Sequence, residues 1–66
     1  MTVMVNGEPR EVPSGTTVAQ VVATLTSQAK GIAAAVNGEV VPRGGWTGRA
    51  LRDQDQVEVV TAVQGG

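Results

Sequence analysis

Two Asn-Gly dipeptides, Asn6-Gly7 and Asn37-Gly38, punctuate this chain, each set between two short runs of strand-forming residues. A two-residue hairpin loop needs φ > 0 at both central positions to match the twist of its strands, and Asn-Gly is the pair that accepts this most readily. The sequence therefore predicts two hairpins. Thr2 to Val5 pairs with Arg10 to Val12, and Ile32 to Val36 pairs with Glu39 to Val41, where Pro42 stops the ladder. The apolar residues suit that purpose: thirteen valines stand beside two leucines, one isoleucine and one tryptophan, with no Phe or Tyr. β-Branched side chains have few χ1 choices and pack well on a pleated surface.

Between the hairpins, Pro13-Ser14-Gly15 reads as a loop, and Thr17-Val18-Ala19-Gln20 has the T-x-x-Q form of a capping box, so a helix starts there. Val18, Val21, Val22 and Leu25 form one apolar stripe, and Gly31 offers a stop after Lys30. Residues 43 to 55 hold Gly44, Gly45 and Gly48, with Trp46 and Leu51 as apolar exceptions; this predicts a loop with one short helical turn, pinned by a small cluster of those two. Asp53-Gln54-Asp55 turns the chain into the last and longest strand, Gln56 to Val63. One helix and four to five strands make a two-layer α+β domain, a mixed sheet wrapped across the helix. The last strand fits mid-sheet beside the first, as in a β-grasp. Residues 1–63 are expected to form the domain and residues 64–66 a flexible tail ending in Gly-Gly.

Sixty-six residues leave no room for a second core or a lidded crevice, so function is expected on the surface or at the ends. With no Cys and no His, the chain has neither a disulfide framework nor a thiolate or imidazole metal site, and no histidine to activate a hydroxyl nucleophile. Lys30, the lone lysine, reads as solvated. A net charge of −1 gives no field to gather nucleic acid or anionic lipid, and stacking aromatics for single strands are lacking. The start, MTVMVNGE, has no basic region followed by a long apolar one, and no apolar run approaches the ~18 residues of a membrane span. The expected location is cytoplasmic.

The final strand runs into Gln64-Gly65-Gly66. A frayed end is one reading. The other begins with what glycine permits: without Cβ, the backbone can enter a narrow cleft and be approached closely. The reactive group there would be the carboxylate, a poor electrophile in water that needs activation from outside. Gly44-Gly45-Trp46-Thr47-Gly48 lacks the following Lys-Ser/Thr of a phosphate loop, so no cofactor is expected on this chain and any ATP belongs to a partner.

The run AVNGEVVPRGGW (35–46), then Leu51 and Asp53-Gln54-Asp55, then VEVVTAVQGG to the end, resembles the ThiS family of small sulfur carriers of thiamine biosynthesis. The similarity covers essentially the whole chain. Gln54 departs from it, because the family often has Gly between the two aspartates. The resemblance implies a ubiquitin-like β-grasp and a carrier cycle in which the protein is a co-substrate and not an enzyme. An E1-like adenylyltransferase of the ThiF type adenylates the Gly66 carboxylate, a persulfide sulfur displaces AMP to leave a thiocarboxylate, and a thiazole synthase of the ThiG type takes the sulfur. Gly66 carries the sulfur and Gly65 gives access. Two alternatives stay open: a related carrier feeding molybdopterin, cysteine or tRNA thiolation, and a β-grasp interaction module whose Gly-Gly is inert.

Strand alternation in the last strand sends Val57, Val59 and Val63 to one face and Glu58, Val60 and Ala62 to the other. Since the helix covers only one face, Met4, Val60 and Ala62 are assigned to an exposed apolar patch for partner docking. Asp53 and Asp55 read as turn residues rather than metal ligands, and Arg43, Arg49 and Arg52 as a solvated loop face or a steering cluster.

Overall fold

The computed structural model describes residues 1–26 and 31–61. Its elements are β1 (Thr2–Val5), β2 (Glu8–Glu11), α1 (Val18–Leu25), β3 (Ile32–Val36), β4 (Glu39–Val41), a 3₁₀ turn (Arg43–Gly45) and β5 (Gln56–Thr61). The five strands form one mixed sheet in the order β2-β1-β5-β3-β4. Both hairpins form, with Asn6, Gly7, Asn37 and Gly38 all at positive φ (51°, 83°, 52° and 83°). β5 lies at the centre, parallel to β1 and antiparallel to β3.

One face of the sheet packs on the helix. Val3, Val5, Ala34, Val36 and Val57 from the strands meet Val18, Val21 and Val22 from α1. One edge is blunted: every residue of β2 is exposed and Pro9 sits within it, which removes a donor from an edge that would otherwise template another strand. The returning strand of the first hairpin thus covers Glu8–Glu11 rather than starting at Arg10, because the tight turn brings pairing forward to Val5 opposite Glu8.

The capping box is present in full. The Thr17 N–H donates to Gln20 Oε1 at 2.9 Å, and the Gln20 N–H donates to Thr17 Oγ1 at 3.3 Å. The next donors are taken by the crossover, with Val18 N–H on the Arg49 carbonyl (3.0 Å) and Ala19 N–H on the Trp46 carbonyl (3.2 Å). The helix stops at Leu25, earlier than Gly31. Thr26 is already extended (φ −156°, ψ 147°), and β-branched Thr24 and Thr26 propagate a helix poorly. Leu25 is consequently 37% exposed and outside the core, although it lies on the apolar stripe. Gly31, at φ +76°, instead leads the chain into β3.

Trp46 and Leu51 also differ from expectation. They are not a satellite pair but belong to the main core, each 4% exposed. The 3₁₀ turn folds the crossover back over the start of α1, the Leu51 N–H donates to the Thr16 carbonyl at 2.8 Å, and the indole N–H donates to the Val41 carbonyl at 2.8 Å. A buried indole keeps its polar edge satisfied in this way.

The acidic turn closes against the start of the chain. Asp53 accepts from the Thr2 N–H (2.8 Å), and the Gln54 N–H donates to the Thr2 carbonyl (2.6 Å). The Thr2 N–H, aided by the Gln54 amide and the N-terminal ammonium and opposed by slight desolvation, holds the Asp53 carboxyl below its usual value. Gln54 sits at φ +72°, a region that favours glycine. Gln54→Gly should therefore raise stability by about 0.5–1 kcal/mol, the relief of left-handed strain exceeding the added chain entropy. A urea midpoint no higher than the parent's would show that the turn is unstrained.

Candidate functional site

β5 carries the chain toward its glycines through the middle of the sheet. Lys30, Ala62, Gly65 and Gly66 lie outside the described residues. Along β5, Val57 is 1% exposed and Val59 half-buried on the helix side, while Glu58 and Val60 face outward. Val60 is 57% exposed and Val40 on β4 is 71% exposed.

The register explains which residues meet there. Val60 pairs with Ala33, while Ala35 pairs with Glu58 on one side and with Val40 on the other. Ala33, Ala35, Val40, Glu58 and Val60 thus line a shallow apolar depression on the face away from the helix. Met4 shares that face, but it pairs with Gln56 and is half-buried. Four residues along β5 separate Gln56 from Val60, a distance of about 13 Å, with Glu58 between them. The structure therefore does not bring Met4 and Val60 together, and the apolar neighbours of Val60 are Ala33, Ala35 and Val40. A signal for these was available in the second hairpin, where Ala33 and Ala35 alternate with buried Ala34 and Val36.

Several other polar groups are committed to structure. A groove between β2 and α1 is floored by Val5, Val12 and Val21, but the hydroxyls at its rim are engaged, Thr16 donating to the Pro13 carbonyl (2.7 Å) and Thr24 to the Val21 carbonyl (2.6 Å). Asp55 accepts from the Arg52 N–H (2.8 Å) and from Asn37 Nδ2 (3.0 Å), which makes it a turn residue like Asp53. Arg43 and Arg52 are exposed and Arg49 is half-buried. Among the described residues no group of three or more His, Cys, Asp or Glu could hold a metal, and no helix is long and apolar enough to cross a membrane. The Thr2 hydroxyl donates to the exposed Glu11 carboxylate across the first hairpin.

Comparison with known proteins bears on the chain as a whole. The chain is 29% identical over 66 residues to the sulfur carrier protein ThiS of Escherichia coli, covering all of both chains. It is 41% identical over 64 residues to the sulfur carrier protein ThiS of Thermus thermophilus, covering 97% of this chain and 98% of the relative. The crystal structure of a thiamine biosynthesis protein (ThiS) from Geobacter metallireducens superposes with a TM-score of 0.85 at 30% identity, covering 100% of both chains. That likeness and the sheet order identify the fold as the ubiquitin-like β-grasp. The ThiS family model matches residues 3–66, from the first buried valine through both terminal glycines, and the chain belongs to the ThiS family.

Proposed function

We propose that this protein is a sulfur carrier for thiazole formation in thiamine biosynthesis, and that the Gly66 carboxylate is the group that carries the sulfur. The supporting observation is that the family match spans residues 3–66 and so includes Gly65-Gly66. The carboxylate attacks the α-phosphate of an ATP held by an E1-like adenylyltransferase of the ThiF type, and pyrophosphate leaves. A persulfide sulfur then attacks the acyl carbon and AMP leaves, giving an acyl disulfide; a thiol attacks the donor's sulfur, the thiocarboxylate leaves, and the thiol and donor end as a disulfide. A thiazole synthase of the ThiG type accepts that sulfur, in the cytoplasm where ATP and the donor are available. Gly65, lacking Cβ, lets the strand end thread a narrow partner cleft.

The test is intact-mass spectrometry after incubation with ATP, the activating enzyme and a persulfide donor. A sulfur-for-oxygen mass gain, lost on adding thiazole synthase and its substrates, is the expected result. If no acyl adenylate ever forms, the inert interaction module takes its place.

Docking is assigned to the outer face, centred on Val60 with Ala33, Ala35 and Val40, and with Met4 and Ala62 as flanking contacts. Val60→Asp places a charge on that apolar face, so KM for the carrier should rise about tenfold or more while the fold stays intact. An unchanged KM would remove Val60 from the interface.

A further inference from the structure

The two Asn-Gly turns are alike in backbone but not in what their side chains do. β1 runs parallel to β5 with Met4 opposite Gln56 and Val5 opposite Val57. The ladder advances through Met4 N–H to the Asp55 carbonyl (2.8 Å) and Asn6 N–H to the Val57 carbonyl (2.9 Å). A parallel pair continued by one more register would give Val59 an acceptor for its N–H and a donor for its C=O. The backbone of β1 cannot supply them, because the chain turns away at Asn6-Gly7. The Asn6 carboxamide supplies both instead: Oδ1 accepts from the Val59 N–H at 2.8 Å, and Nδ2 donates to the Val59 carbonyl at 3.1 Å. One side chain thus stands in for a missing strand residue.

On its other side β5 is flanked by β3 as far as Thr61, through the pairs Val59 with Ala34, Val60 with Ala33 and Thr61 with Ile32. Past Val57, Asn6 is what holds the β1 side of the strand, seven residues before Gly66. Asn37 does the corresponding thing at the opposite end, where its Oδ1 accepts from the Gln56 N–H at 2.9 Å and its Nδ2 reaches Asp55. One turn clamps the start of β5 and the other its fourth residue.

We propose that Asn6 is a positioning residue for the carboxyl-terminal chemistry: by bridging both backbone groups of Val59 it holds the β1 side of β5 in register ahead of the reacting end, so that adenylation of Gly66 depends on that bridge. The proposal rests on the sulfur-carrier reading. It requires that loosening β5 at Val59 impair the reaction after docking, since Asn6 is not among the residues assigned to docking. A reacting atom displaced by about 1 Å loses up to roughly two orders of magnitude in rate.

Asn6→Gly and Asn37→Gly form the test pair, because glycine keeps each positive-φ turn and removes only the carboxamide. In Asn6→Gly, amide exchange at Val59 should accelerate, and kcat for adenylation should fall by roughly one to two orders of magnitude with KM for the carrier unchanged. In Asn37→Gly, exchange at Gln56 should accelerate and kcat should hold. A merely stabilising role predicts that both variants track their melting temperatures, with no split between them. The proposal is overturned if Val59 stays protected in Asn6→Gly, if kcat is unchanged once Val59 is exposed, or if Asn37→Gly loses kcat equally. If the parent protein itself is never adenylated, the carrier reading falls and this one with it; a parent that is adenylated beside an equally active Asn6→Gly removes the positioning role alone.

Discussion

Trp46→Ala is expected to leave this domain largely unfolded at 37 °C. The core contains no other aromatic side chain; around Trp46 it consists of valines, one alanine and Leu51. Truncating a buried Trp costs about 3–5 kcal/mol through lost burial and the cavity left behind. A chain of this length has roughly 3–10 kcal/mol to lose, at about 0.05–0.15 kcal/mol per residue. The indole N–H on the Val41 carbonyl disappears as well, loosening the end of β4 at the place where the crossover begins. Since 1 kcal/mol shifts the Tm of a small domain by about 4–8 °C, the loss amounts to tens of degrees. Circular dichroism melts measure it, and a drop of only a few degrees would mean that the loop over α1 collapses to fill the space.

The elements that sequence reading recovered are those whose cause is local. Asn-Gly demands positive φ wherever it stands between strands, and Thr17-x-x-Gln20 satisfies a helix start within four residues. Both features therefore appear where the sequence places them, and β5 lies mid-sheet beside β1 because few other arrangements bury one face of every strand on a single helix. The features that escaped depend on partners distant in sequence. Trp46 enters the main core because the carbonyls of Trp46 and Arg49 cap Val18 and Ala19, a contact that no periodicity encodes. Leu25 fits the helical stripe, but α1 ends there and its side chain stays partly exposed. The apolar depression on the outer face gathers Ala33, Ala35 and Val40 around Val60, with Met4 apart, because its composition follows from the β3–β5 register rather than from β5 alone. Asn6 was legible as a turn residue; its second use, as a stand-in for a strand, depends on a parallel register across 53 residues. The reading of Gly66 comes from the motif and the family, with the strand leading to it supplied by the fold.

Adding a single alanine after Gly66 should abolish thiocarboxylate formation while leaving docking intact. The extension keeps every residue of the sheet, including the outer face around Val60, so KM for the activating enzyme is expected to stay near the parent's. It moves the carboxylate by up to about 3.6 Å and attaches it to a carbon that bears a methyl group. Nucleophilic attack requires reacting atoms held within about 3–3.5 Å in line, so a displacement of that size takes the carboxylate out of reach of the α-phosphate. The added Cβ compounds the effect, because a cleft shaped for Gly-Gly has no space for it. The two causes can be separated by adding glycine instead of alanine, which retains the displacement and removes the methyl. If the glycine extension reacts and the alanine extension does not, steric exclusion at the cleft dominates; if both fail, reach dominates. Intact-mass spectrometry with ATP, the activating enzyme and a persulfide donor reads each case directly. A normal sulfur-for-oxygen gain on the alanine-extended chain would refute the requirement for a terminal Gly-Gly carboxylate, and with it the assignment of Gly66 as the sulfur-carrying residue.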